Sequence, residues 1–264
     1  MNDEFGKPSR EHAMIHNGET LQRSVAEQKR DQRLREFSVE ISRHFKHHWN
    51  QNSLLFLKRQ SLSRILYLDN LYKLIIGKPG HILEFGVQWG ASLNTLINLR
   101  GTHEPYNHSR HIFGFDTFDG LYGVDESLEG EFAKDGDYRI LEDYENILND
   151  ILELQESFSP IAHLKKFELI KGDAAKTIHN WTKAHVGSTI AMAIFDMDIY
   201  KPTKEVLMRI KPFLYRGSVL VFDEFSAEHW PGEKMALDEV FGLGNLVMNH
   251  FPSQPYCSWT IIGE

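Results

Sequence analysis
Two apolar runs in this chain end in acids: AMAIF is followed by Asp196, and SVLVF by Asp223-Glu224. An open parallel sheet gathers its ligands outside the carboxyl ends of its strands, so acids at those ends face one crevice. Carboxylate oxygens suit a hard divalent cation, Mg²⁺ or Mn²⁺, which keeps open positions for water and substrate oxygens. The spacing, 223 − 196 = 27 residues, holds one helix and a returning strand. Asp198 shares the first loop, as a further ligand, a neighbour of the ligands or a base. A cation of this kind turns a hydroxyl into a nucleophile, and a nearby base takes its proton. The first candidate base is His229, five residues beyond Glu224 in EFSAEHWPGE; Asp198 is the second and Lys201 the third.

An earlier apolar run, HILEF, leads into Gly86-Val87-Gln88-Trp89-Gly90-Ala91-Ser92. Glycines there allow a tight turn and let a ligand approach the backbone at a helix N-terminus. The spacing is not the G-x-G-x-x-G dinucleotide fingerprint, which argues against a nicotinamide oxidoreductase. Asp116 follows IFGF at the next strand end, where a carboxylate can accept hydrogen bonds from both ribose hydroxyls. Asp173 follows ELIKG; taken alone it reads as a turn residue or helix cap. Phe118, in the TFDGL turn, is a candidate wall for a cofactor pocket. His103, His108 and His111 flank the second strand as further candidates for the pocket.

These residues need a scaffold that repeats strand, turn and helix. HILEFG, HIFGFDTF, FELIK, TIAMAIFDMD and SVLVFDEF read as buried strands, with helices over GASLNTLINLR, from DAAKTI, over KPTKEVLMRIKPFL and over GEKMALDEVFG. Continuous apolar strands alternating with helices imply a parallel sheet covered on both faces. The tail segments NLVMNHF and YCSWTIIGE, joined by a short turn, must pair antiparallel. The expected fold is α/β: a doubly wound, mostly parallel seven-stranded sheet with an antiparallel C-terminal hairpin and an N-terminal helical extension. Residues 1–76 form the tail and extension, with amphipathic helices expected within 19–48 and 53–76, serving as a lid or a homodimer contact. Residues 77–264 form the main domain, with an insertion near 117–160 that shows no strong strand and would cover the crevice.

At 264 residues the chain suits one large α/β domain with additions. A formal charge of −8 argues against nucleic acid as the main partner. The lone cysteine, Cys257, excludes an intramolecular disulfide and a multi-cysteine zinc site. No signal peptide or membrane-spanning run is seen, so the expectation is a cytoplasmic protein with a small-molecule substrate.

The E-x-G-x-x-x-G-x-S pattern from Glu84 to Ser92 is similar to the first motif of class I S-adenosylmethionine-dependent methyltransferases. FDMDIYKPTKEVLMRIKPFLYRGSVLVFDEF, followed by WPGEKMALDEVF and preceded by GFDTFDGL, resembles the macrocin O-methyltransferase family. The resemblance covers about residues 80–262. It implies a Rossmann-like methyltransferase fold and transfer of a methyl group from S-adenosylmethionine, with Mg²⁺, to a hydroxyl of a sugar or related natural product. It further implies that Glu84, Gly86, Gly90 and Ser92 meet the methionine end of the cofactor, Asp116 the ribose and Asp173 the adenine. Asp196, Asp223 and Glu224 would hold the metal. The family usually has a second aspartate where this chain has Glu224, and a glycine where it has Met197. The catechol O-methyltransferases, similar in mechanism, carry a lysine base at the position of Ile199. Competing readings are a related fold with a hydroxylase-like activity, a nicotinamide oxidoreductase, and a non-catalytic module that works through its N-terminal helices.

Overall fold
The structure, a computed structural model, describes residues 15–16, 19–20, 25–129, 133–228 and 230–264. The chain divides into two compact units, Met1–Ser63 and Arg64–Glu264. In the first, β1 (Ile15–His16) and β2 (Glu19–Thr20) pair antiparallel. Helix α1 (Val25–Ser42) is charge-rich, with the i,i+3 pair Arg33–Glu36 at 2.9 Å. A short helix, α2 (Trp49–Asn52), lies between two 3₁₀ turns, and Phe45 stacks on Phe56 at 6.2 Å. The helix expected over 53–76 begins instead as a 3₁₀ turn, Ser53–Phe56, and then as α3, Arg59–Lys73.

The second unit, which α3 joins at Arg64, carries the seven-stranded sheet. Its strands are β3 (His81–Phe85), β4 (Ile112–Asp116), β5 (Phe167–Lys171), β6 (Ile190–Phe195), β7 (Val219–Phe222), β8 (Asn249–Phe251) and β9 (Gln254–Ile261). Across the sheet they run β5-β4-β3-β6-β7-β9-β8. Neighbours from β5 to β7 are parallel; β9 is antiparallel to both β7 and β8. The chain winds outward from β3 to β5, then returns to β6 beside β3 and winds the other way. That reversal makes the β3/β6 boundary the topological switch point, where open α/β sheets bind ligands.

Helices cover both faces, as continuous apolar strands require. On one face Leu68, Leu71 and Tyr72 of α3, Leu93, Leu96 and Ile97 of α4 (Ala91–His103), and Leu148 and Leu152 of α5 (Tyr144–Ser157) join one core cluster. On the other, α6 (Ala174–Ala184), α7 (Tyr200–Ile210) and α8 (Gly232–Phe241) supply Ile178, Trp181, Val206, Leu207, Ala236 and Leu237. Helix α5 lies inside the stretch expected to be an insertion. Its apolar residues fall on one stripe, of which Leu148 and Leu152 are buried and Ile147, Ile151 and Leu154 stay exposed. Among the described residues no helix is long and apolar enough to cross a membrane.

A row of phenylalanines sets the register at the carboxyl edge. Phe85 pairs with Phe115 and Phe195, and Phe195 with Phe222. Their rings stack at 4.8, 5.3 and 5.0 Å and are fully buried. The next residue in each strand is still pinned to the row: Gly86 N–H donates to Phe115 O, Asp196 N–H to Phe85 O and Asp223 N–H to Phe195 O, at 2.8–3.0 Å. Emptying one ring position leaves a cavity that neighbouring rings cannot fill. Phe195→Ala should therefore lower unfolding free energy by about 3–5 kcal/mol in chemical denaturation, and Phe195→Leu by clearly less.

Candidate active site
A cavity of about 300 Å³ opens at the switch point. Glu84, Gly86, Ser92, Asp116, Asp173, Asp196 and Asp198 line it, with Trp89 and Tyr122 at its mouth and Tyr138 from the 117–160 segment. Gly90 and Phe118 do not line it. A Cβ on Gly90 would strike the Leu148 side chain at 2.4 Å, so this glycine serves the packing of α5 against the turn. Phe118 is buried in the core cluster that α4 and α5 also join. None of His103, His108 and His111 lines the cavity: His103 Nε2 lies 2.6 Å from Asp69, and His111 stacks on Phe113. His229 lies outside the described residues.

Gly86 is demanded by close approach. A Cβ there would sit 1.8 Å from the Asp196 carbonyl oxygen, where the turn after β3 crosses the end of β6. The turn is held from below by Asp116. One oxygen of its carboxylate accepts Val87 N–H and Gln88 N–H, both at 2.7 Å, and the other accepts Phe118 N–H at 2.6 Å. Much of its accepting capacity thus shapes the cofactor turn and the following loop. Asp173 caps α6, accepting Ala175 N–H at 3.0 Å, and still faces the cavity. The cap reading and the site reading hold together there.

Glu84 is 1% exposed, and its Oε2 has no hydrogen-bond partner. Burial pushes its carboxyl up to about 8, against the pull of the Arg64 charge. A buried carboxylate left without a donor, in a ligand-sized cavity, calls for a cationic or N–H group from outside the chain. The ammonium of S-adenosylmethionine supplies one, so these residues fit that cofactor.

The acids beyond it crowd together. Burial first, then the Asp223 charge, raises Asp196 well above the carboxylate range and lifts Asp198 to about 7. Glu224 is pushed up to about 8 by burial and by Asp198. Sequence reasoning missed Glu233, in the first turn of α8. It is fully buried, and its Oε1 accepts the N–H groups of Met197 and Asp198 at 3.3 and 3.4 Å. Its Oε2 accepts Glu224 N–H at 3.2 Å. One side chain thereby ties together the loops after β6 and β7. An acid in a helix's first turn is a common cap feature, so its place in WPGEK carried no distinguishing signal.

Arg64 was also missed. Its Nη1 donates to Asp223, and its Nη2 lies 3.4 Å from Asp196 Oδ2 and 3.3 Å from Ser92 Oγ. The hard-oxygen donors and their excess of negative charge fit a divalent cation chemically. Among the described residues, no three His, Cys, Asp or Glu side chains stand grouped around a point that could hold one, and the guanidinium lies against two of the expected ligands.

No protein-family model and no curated protein sequence matches the chain. Solved structures do. The crystal structure of CalS11, a calicheamicin methyltransferase, is 33% identical with a TM-score of 0.89, over 99% of this chain and 100% of that one. The apo structure of CalS11, described as a TDP-rhamnose 3'-O-methyltransferase, gives 31% and 0.78, over 96% and 98%. The O-methyltransferase NovP, at 17% identity and a TM-score of 0.59 over 75% and 79%, shares the fold. The strand order, the glycine turn and the acids around it define a class I methyltransferase. With this identity along its whole length, the chain belongs to the macrocin O-methyltransferase family and is an S-adenosylmethionine-dependent O-methyltransferase.

An unfolded glutamate releases its proton near 4.5, whereas folded Glu84 keeps it up to about 8. The unfolded state then binds fewer protons across that window, so the ligand-free protein loses stability as pH rises through it. One such group contributes up to about 1.4 kcal/mol per pH unit. Glu84→Gln should flatten the fall in urea-denaturation stability between acid and neutral pH while weakening S-adenosylhomocysteine binding. An unchanged slope with unchanged binding would remove Glu84 from the site.

Proposed function
We propose that this enzyme methylates a hydroxyl of a sugar, carried on a nucleotide or in a glycoside, with Asp198 as general base and Asp196, Asp223 and Glu224 as ligands for Mg²⁺ or Mn²⁺. The observation that carries this reading is the shared cavity: Asp196 and Asp198 line the same space as Glu84 and the glycine turn. An acceptor hydroxyl near those acids would lie beside the cofactor's reacting end. The sugar class is supported by CalS11, described as acting on TDP-rhamnose.

When bound, S-adenosylmethionine supplies an electrophilic methyl group, and a divalent cation would lower the pKa of the acceptor hydroxyl. Glu84 and the turn after β3 orient the methionine end, and Ser92 opens the helix beside it. Asp173 faces the cavity from the end of β5, toward the adenine. Trp89 and Tyr122 at the mouth offer flat faces for a sugar or base. Holding both partners in line is the main service of such a site.

Asp198 suits the base because it faces the cavity in a left-handed backbone conformation (φ 64), set by its neighbours rather than by its own preference. Tyr138, from the 117–160 segment, lines the same cavity. A carboxylate held near neutrality takes a proton more readily than one in the ordinary range. His229 is the competing base. Gly120, Leu121, Tyr122 and Tyr138 in the cavity wall act as the acceptor-side cover, while α5 later in the same stretch packs on the sheet.

The test is methyl transfer from labelled S-adenosylmethionine to a panel of nucleotide-linked deoxysugars and glycosides, read by mass spectrometry, with and without chelator. Transfer to a sugar hydroxyl that stops on chelation and returns with Mg²⁺ supports the proposal; transfer to none of the panel sinks the acceptor class. Asp198→Asn should lower kcat by about 10²–10⁴-fold and leave S-adenosylhomocysteine binding intact. If His229→Ala gives that loss and Asp198→Asn does not, the base is His229.

A further inference from the structure
The acidic crevice already holds a cation of the chain's own. Arg64 projects from α3, and its guanidinium bridges Asp223 at the end of β7 and Asp196 at the end of β6. Nη2 also meets Ser92 Oγ at 3.3 Å, and Nη1 lies 3.6 Å from Cys257 Sγ on β9. The guanidinium carbon stands 5.7 Å from the ring centre of Tyr67, one helical turn on. The fork therefore has five side-chain neighbours. Its side chain is 24% exposed, against 33% for Asp196 and 19% for Asp223.

Asp196 and Asp223 are two of the three ligands assigned above to a divalent cation. A small divalent cation takes carboxylate oxygens at about 2 Å. The fork spends oxygens of both aspartates on its own hydrogen bonds. A divalent ion bridging the same pair would also face a fixed positive charge at contact range, which opposes it. Arginine cannot relieve the conflict by losing its proton.

Resting on the proposed metal site, we propose that Arg64 is a built-in counterion of that site: the guanidinium must leave Asp196 and Asp223 before a divalent cation binds, so the two compete. Ser92 Oγ, at the N-terminal turn of α4 and on the cavity wall, is the anchor it keeps. The arrangement satisfies the acids in the empty enzyme, and it weakens metal binding by the fraction of time that the fork is closed.

The measurement is Mn²⁺ binding to the full chain, followed by electron paramagnetic resonance of free Mn²⁺, for the wild type, Arg64→Gln and Arg64→Lys. Arg64→Gln keeps a polar side chain without the charge and should bind Mn²⁺ at least about tenfold more tightly, as for a site nine-tenths closed. Arg64→Lys keeps the charge without the fork and should fall between. S-adenosylhomocysteine titration of each variant reports that it is folded. Equal or weaker Mn²⁺ binding by a folded Arg64→Gln overturns the competition, as does failure of both proteins to bind Mn²⁺. Methyl transfer by the wild type separates the two levels. Transfer indifferent to chelator sinks the metal site and this inference together; chelator-sensitive transfer with no effect of Arg64→Gln on Mn²⁺ binding sinks the role of Arg64 alone.

Discussion
The register of the parallel strands at the carboxyl edge is the constraint on which the rest of this molecule depends. Phe85, Phe115, Phe195 and Phe222 stack in one row across four strands. Each is followed by a residue at the carboxyl edge, Gly86, Asp116, Asp196 and Asp223, of which the first three line the cavity. Side chains alternate along a strand, so a slip of one residue would send the row into the crevice and the acids into the core. The apolar row and the acidic row enforce each other, because neither tolerates the other's environment.

Gathering acids in a half-closed space is costly, and the fold offsets that cost with particular groups. Glu233 is itself a buried acid held well above the carboxylate range, so it adds to that cost, but the N–H groups it accepts from the loops after β6 and β7 hold Asp198 and Glu224 in place. Arg64 supplies positive charge against Asp196 and Asp223. What is left unbalanced is Glu84 on one side and Asp198 with Glu224 on the other, each pushed toward or above neutrality. A site arranged in this way is less stable than a neutral core would be, and in return it is ready for cationic groups that the chain does not carry. Glu84 and Asp198 line one cavity, so groups held by each would lie within the same space.

Much of this was legible in one dimension. Strand ends could be read because apolar runs stop at acids or glycine, and the crevice follows from the parallel order those runs imply. The tail hairpin followed from a turn too short for a crossover. The limits were equally physical. Helix α5 lay unrecognised in the 117–160 stretch, where the surrounding acids, glycines and aromatics read as an insertion, although its apolar residues share one stripe. Phe118 and Gly90 sit within motifs that reach the cofactor pocket, yet Phe118 is buried in the core cluster and Gly90 abuts Leu148 of α5. Asp116 was assigned to a ligand; three backbone N–H groups of the turn and the following loop reach it in the structure.

The sequence by itself determined the fold class, the family and the acids that end the strands, because each depends on local pattern: apolar periodicity, glycine spacing, and residue type at the end of a run. Tertiary structure alone decided which distant groups balance those acids or hold their loops. Arg64 lies 132 positions from Asp196 and 159 from Asp223, and Glu233 lies 35 from Asp198. No spacing rule connects residues so far apart on different helices. Their partnership exists because α3 brings a guanidinium to the acids and α8 brings a carboxyl that accepts the N–H groups of their loops, and interactions of that kind act through space rather than along the chain.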